Sequence, residues 1–101
     1  MVVATSGKMR PAIVIQADAF SSESSVTMCL VTTSTENPSA LRLSVQPSVS
    51  NGLREDSWLM PDKIMTVPRR KLGRRIGALD ARDMAALDGA IMAFLGLEDG
   101  P

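Results

Sequence analysis

Residues 8–33 run Lys8-Met-Arg-Pro-Ala-Ile-Val-Ile-Gln-Ala-Asp-Ala-Phe-Ser-Ser-Glu-Ser-Ser-Val-Thr-Met-Cys-Leu-Val-Thr-Thr33. Pro11 to Ala17 is rich in β-branched residues and stops at an Asp/Ser-containing loop. Ser25 to Thr33 is a second such run, leading into the polar stretch Ser34-Thr-Glu-Asn-Pro38. Both read as strands. On the C-terminal side, Leu41-Arg-Leu-Ser-Val45 alternates apolar and polar residues as a half-buried strand does, and Asn51-Gly52 marks a turn. Ser57–Met60 and Lys63–Val67 are two more short strands, broken by Pro61 and ended by Pro68. Pro61 itself points to an edge or a bulge, because it cannot donate to a ladder. Trp58 reads as core, since it sits in an alternating strand.

The last third changes period. Asp80 is placed to cap a helix, with Asp83 three residues on in the manner of a capping box. Met84, Leu87, Ile91, Phe94 and Leu95 then fall along one helical face, and Gly96 can end the helix. Helix is therefore expected over about 80–96, followed by a frayed tail, Glu98 to Pro101. Several short strands and one closing helix predict a mainly β fold: a small antiparallel barrel with a C-terminal helix. No internal repeat or domain boundary is visible, so residues 1–101 are expected to form a single domain.

At 101 residues and 10.8 kDa the chain fits one domain and excludes a multidomain enzyme. Three aromatics (Phe20, Trp58 and Phe94) leave the core to Val, Ile, Leu, Ala and seven Met. The absence of His removes Ser-His-Asp triads and His-ligated zinc. The lone Cys29 excludes a disulfide framework and suits a reducing compartment. No metal or cofactor is expected. Neither a signal peptide nor an apolar run of membrane-spanning length is present, which predicts a cytoplasmic protein.

Net charge is zero, yet its distribution is uneven. Residues 1–68 sum to −1, residues 69–75 (Arg69-Arg-Lys-Leu-Gly-Arg-Arg75) to +5, and residues 76–101 to −4. A basic run of this kind is either a solvated loop or strand edge guarded against aggregation, or a patch that contacts phosphate.

Three blocks carry a family resemblance. Lys8 to Gln16, with its Arg-Pro followed by aliphatics, resembles a strand of the MazF/PemK (Kid) toxins. Thr27 to Thr33 resembles their segment ending in Thr-Thr, Thr-Ser or Thr-Ala. Asn51 to Ser57, Asp62 to Pro68 and Leu72 to Leu79 together are similar to their "G-L…S…D-K-I…V-P…G-x-x-I-G-x-L" second half. The similarity spans about residue 7 to Leu97. It implies an SH3-like or CcdB-like barrel with a C-terminal helix, forming a homodimer, as the toxin of a type II toxin–antitoxin pair. The implied activity is sequence-specific, metal-independent cleavage of single-stranded mRNA to 2′,3′-cyclic phosphate and 5′-hydroxyl ends. A cognate MazE/PemI-like antitoxin would neutralise it by laying an acidic segment over the RNA groove.

The resemblance carries the family's catalytic arginine onto Arg10 and its catalytic threonine onto Thr32. Their chemistry suits attack by a ribose 2′-hydroxyl. A guanidinium gives permanently charged donors for the phosphorane oxygens, and a hydroxyl can both donate and accept. Without His, the general base is left to a carboxylate, a perturbed group or water. Asp62 matches an aspartate that helps catalysis in some PemK-like members, although Met60 stands where those members have an arginine. Lys8, Gln16, Thr33 and Lys63 lie beside the matched positions and are candidate RNA contacts.

Members usually begin with a strand of about ten residues, where this chain has only Met1 to Ala4 before the short loop Thr5 to Lys8. The start is thus either trimmed or a stub strand that closes the barrel. Two other functions stay open. One is a CcdB-type gyrase poison, suggested by Ser57-Trp58 and by Phe94 to Leu97. The other is an inactive relic that only binds antitoxin. Arg10-Pro11 together with Thr32-Thr33 favour the nuclease.

Overall fold

The two β-branched runs pair with each other. In the computed structural model, which describes residues 2–5, 10–20, 22–36 and 41–97, β2 (Pro11–Val14) lies antiparallel to β3 (Ser25–Thr32), with Ala12 opposite Leu30, Ile13 opposite Cys29 and Val14 opposite Met28. They are joined by β1 (Val2–Thr5), β4 (Leu43–Val45), β5 (Ser57–Pro68) and β6 (Leu72–Gly77) in one six-stranded sheet of order β4-β5-β3-β2-β1-β6. Every pairing is antiparallel. The sheet curls into a half-barrel, and helix α1 (Ala81–Leu95) follows it. β1 pairs with β2 on one side and β6 on the other.

Two apolar clusters form on the two faces of the curled sheet. On one, Ile13, Cys29, Val31, Val45, Leu53 and Leu59 pack with Leu79 and with Leu87 of α1, and Met84 and Ile91 close over them. On the other, Ala12, Val26 and Met28 pack with Val14, Leu30, Val67 and Leu72. Alternation along β3 sends Val31 and Cys29 to the helix side, and Met28 and Leu30 to the opposite side. Burying a Leu such as Leu87 contributes roughly 1.5–3 kcal/mol.

Asp80 caps α1 as expected, its Oδ1 accepting from the Asp83 N–H at 2.8 Å, a contact of the kind that stabilises by about 1 kcal/mol. Gly96 ends the helix at φ 71°, where Leu97 N–H donates to Met92 O and Gly96 N–H to Ala93 O. The helical face is shorter than its periodicity implies. Leu87 is buried, but Phe94 and Leu95 are about half exposed, so the last turn carries its apolar residues clear of the core.

Pro61 corrects the strand count. Ser57 to Pro68 is one strand, and it lies inside the sheet between β4 and β3. Cys29 pairs with Ile64 and Leu30 with Met60, so Pro61, Asp62 and Lys63 have no counterpart on β3. This bulge holds the proline where no ladder hydrogen bond is required of it. β6 ends the sheet, so the last part of the basic run lies on an edge strand, with Arg74 and Arg75 exposed. Among the described residues, no helix is long and apolar enough to cross a membrane.

Candidate active site

Arg10 immediately precedes β2. Continuing the β2–β3 register two residues beyond Ala12 and Leu30 sets Arg10 across from Thr32, the last residue of β3. Both line one cavity of about 370 Å³ on the sheet face away from α1. Its floor is apolar, built by Leu30, Met60, Met65 and Val67, and Lys71 adds a second cation at its wall.

Thr32 is held by a local turn. Ser34 N–H donates to Thr32 Oγ1 at 3.1 Å, so the hydroxyl has one lone pair engaged while its own proton can be donated to an incoming oxygen. Strand and turn together orient the side chain before any substrate arrives.

The remaining candidates are distributed differently. Lys8 lies outside the described residues. Thr33 lines a second cavity, on the far side of Pro11, which borders both. Gln16 is engaged within the fold: its Nε2 donates to Phe20 O at 2.7 Å and its Oε1 accepts from Thr27 N–H at 3.0 Å, tying the β2–β3 loop to the sheet. Asp62 and Lys63 sit on the β5 bulge, and neither lines either cavity. Asp62 is half-buried, with its Oδ1 buried and accepting no hydrogen bond among the described residues.

Beside the bulge, Cys29 is fully buried and its Sγ–H donates to Met60 O at 3.1 Å. Burial pushes this thiol up to about 11, and the Asp62 carboxylate adds to the rise. Cys29 is therefore a neutral, unreactive thiol at ordinary pH. Among the described residues, no three of His, Cys, Asp and Glu gather as ligands for a metal ion.

Four lining cations escaped selection as individual site residues: Lys71, Arg74 and Arg75 from the basic run, and Arg54 from the loop before β5. The run itself was the signal for the first three. Arg54 is placed by the turn at Asn51-Gly52. Asn51, only 4% exposed, accepts from Ser48 N–H and Leu53 N–H through Oδ1 and donates from Nδ2 to Gln46 O. Gly52 follows at φ 69°, and a Cβ there would collide with the Ile76 carbonyl oxygen.

Comparison with known proteins agrees with this fold. A family model of PemK-like, MazF-like toxins of type II toxin–antitoxin systems matches residues 3–95. A probable endoribonuclease MazF of Mycolicibacterium smegmatis is 43% identical over 94 residues, covering 93% of this chain and 86% of that protein. The structure of the Mycobacterium tuberculosis toxin MazF-mt6 matches with a TM-score of 0.83 at 29% identity, over 97% of this chain and 98% of the other. A MazE–MazF crystal structure from Deinococcus radiodurans matches with a TM-score of 0.72 at 18% identity, over 96% and 93%, which is a likeness of fold.

Proposed function

The chain belongs to the PemK-like, MazF-like toxins of type II toxin–antitoxin systems, and on that premise we propose that it is an endoribonuclease whose catalytic pair is Arg10 and Thr32. The observation that carries the residue assignment is their convergence, from the start of β2 and the end of β3, on one cavity.

In the proposed reaction the ribose 2′-oxygen attacks the adjacent phosphorus of single-stranded mRNA. A P–O2′ bond forms, the P–O5′ bond breaks, and a 2′,3′-cyclic phosphate and a 5′-hydroxyl result. The 2′-hydroxyl proton leaves to a base, and the departing O5′ takes up a proton. Arg10 stabilises the charge that accumulates on the phosphorane oxygens. Thr32, with its Oγ1 already accepting from Ser34, donates its own hydrogen to the scissile phosphate. The apolar floor strengthens both contacts by lowering the local dielectric. Metal-independence is part of the proposal, and the test is run accordingly.

A cognate antitoxin and a homodimer complete the proposed working unit. The exposed Met92, Phe94, Leu95 and Leu97 at the end of α1 support pairing, since a surface of this kind gains by being covered. Monomer at micromolar concentration in sedimentation would oppose it.

The deciding experiment incubates the purified chain with a long defined RNA in EDTA, beside Arg10→Ala and Thr32→Ala, and maps the ends by primer extension. Cuts at a recurring short motif with 5′-hydroxyl ends, lost in both variants, are expected. Intact RNA with wild-type protein overturns the proposal, and gyrase-trapped cleaved DNA would then support the CcdB-type alternative.

A further inference from the structure

The second cavity, of about 560 Å³, shares one wall residue with the first. Pro11 borders both, and Thr33 in its wall follows Thr32 in the chain. Arg54, Arg74 and Arg75 line it, against a single carboxylate, Glu55. We propose that this cleft holds the phosphate backbone of the same RNA strand beside the scissile linkage, with Arg54, Arg74 and Arg75 as positioning residues; this rests on the endoribonuclease reading above.

Three guanidiniums stand together in a chain of zero net charge. They come from elements far apart in sequence, the loop before β5 and the edge strand β6. Two glycines permit the approach. A Cβ on Gly52 would strike the Ile76 carbonyl, and one on Gly77 would strike the backbone at Ser50 and Asn51. Ala78 N–H then donates to Ser50 O at 2.8 Å, fastening the loop to the end of β6. Arg75 donates from Nε to Gly77 O at 3.3 Å, which ties its guanidinium to its own strand.

Protection of an exposed edge calls for charge alone. It gives no reason for a cavity, or for a third arginine delivered from a different loop. A phosphodiester supplies both reasons: planar guanidinium forks match its paired oxygens, and a strand rounding Pro11 and Thr33 from Thr32 would be led towards the cleft. Polyanion binding by arginine also has a measurable signature, the release of counterions.

The test is fluorescence anisotropy with a labelled, mixed-sequence 2′-O-methyl RNA of about twelve nucleotides, which lacks the attacking hydroxyl, between about 50 and 300 mM NaCl. The proteins are wild type, Arg54→Gln, the double variant Arg74→Gln/Arg75→Gln, and Arg82→Gln on the exposed side of α1 as a charge control. The slope of log affinity against log salt is expected to fall by about 0.7 in Arg54→Gln and about 1.4 in the double variant, and to stay unchanged in Arg82→Gln. In the cleavage assay the two cleft variants are expected to raise KM while kcat changes little. Should the double variant fold poorly, Arg54→Gln carries the test alone. Slopes unchanged in both cleft variants, or lowered equally by Arg82→Gln, overturn the cleft assignment while leaving cleavage by wild type intact. A wild-type protein that neither binds nor cuts RNA overturns the endoribonuclease reading and the cleft with it.

Discussion

Trp58 of β5 stands directly across from Thr32 of β3, with Ser44 of β4 on its other side. Side chains opposite each other in an antiparallel pair share a face, with Cβ atoms about 4.5–5.5 Å apart. Trp58 therefore belongs to the face of Thr32, and Leu59 and Val31 to the face covered by the helix. It is half-buried, where the sequence pattern had suggested core.

Readers of single strands stack bases on aromatic side chains, and this chain has one Trp and no Tyr. Titration with an uncleavable RNA is expected to change the tryptophan emission, and all of that signal originates at Trp58. Trp58→Ala is expected to weaken binding by about 1–3 kcal/mol, and Trp58→Phe to retain most of it. Unchanged emission at saturating RNA would show that the strand takes another course past Thr32.

At the candidate catalytic pair, the conservative substitutions are more informative than alanine. Arg10→Lys keeps a cation but loses the fork, and single-turnover cleavage is expected to fall by about 10²-fold or more. Thr32→Ser keeps the hydroxyl and the acceptor for Ser34 N–H, so it is expected to stay near wild type, whereas Thr32→Val of similar shape is expected to lose activity. Activity kept in Thr32→Val and lost in Thr32→Ser would mean that Thr32 acts through shape rather than through its hydroxyl.

The loop that carries Arg54 has a stability signature of its own. Gly52→Ala must hold φ 69° and displace the Ile76 carbonyl, which is expected to cost about 1–3 kcal/mol. In a domain of this size that lowers Tm by about 4–8 °C per kcal/mol. Gly89→Ala, on α1 where a Cβ meets nothing, is the matched control and is expected to stabilise slightly. Thermal unfolding by circular dichroism measures both.

Cys29 makes stability depend on alkaline pH. Its native thiol ionises near 11, while an unfolded one ionises near about 8.5. A group raised in the folded state contributes fully below the unfolded value, and that contribution is lost as pH rises towards the folded one. Stability is thus expected to fall between about pH 8.5 and 11 by about 1.4 kcal/mol per unit, relative to Cys29→Ala. A thiol reagent at pH 8 is expected to label the protein only after denaturation.

Arg10 and Thr32 were reached through the family resemblance; that they share one cavity follows from the register of β2 and β3, which the two strand ends alone do not give. The face of Trp58 was not legible, since alternation gives a period without saying which side is the core. Phe94 and Leu95 follow the helical period, yet α1 carries them beyond the sheet, and sequence holds no record of where its support ends. The placement of Asp62 and Lys63 was not legible for a related reason. Their direction is decided by a slip against β3, a relation between two distant segments.

That slip inverts the odd–even rule along β5. Before it, Trp58 and Met60 face the groove; after it, Met65 and Val67 do, while Ile64 pairs with Cys29 and Thr66 shares a hydrogen bond with Thr27 on the other side. A relative two residues shorter in the bulge would keep every later side chain of β5 on its present side. One shorter by a single residue would need no inversion at all, because unbroken alternation from Met60 then already sets Ile64 away from the groove and Met65 in it, so the floor keeps its character through either deletion.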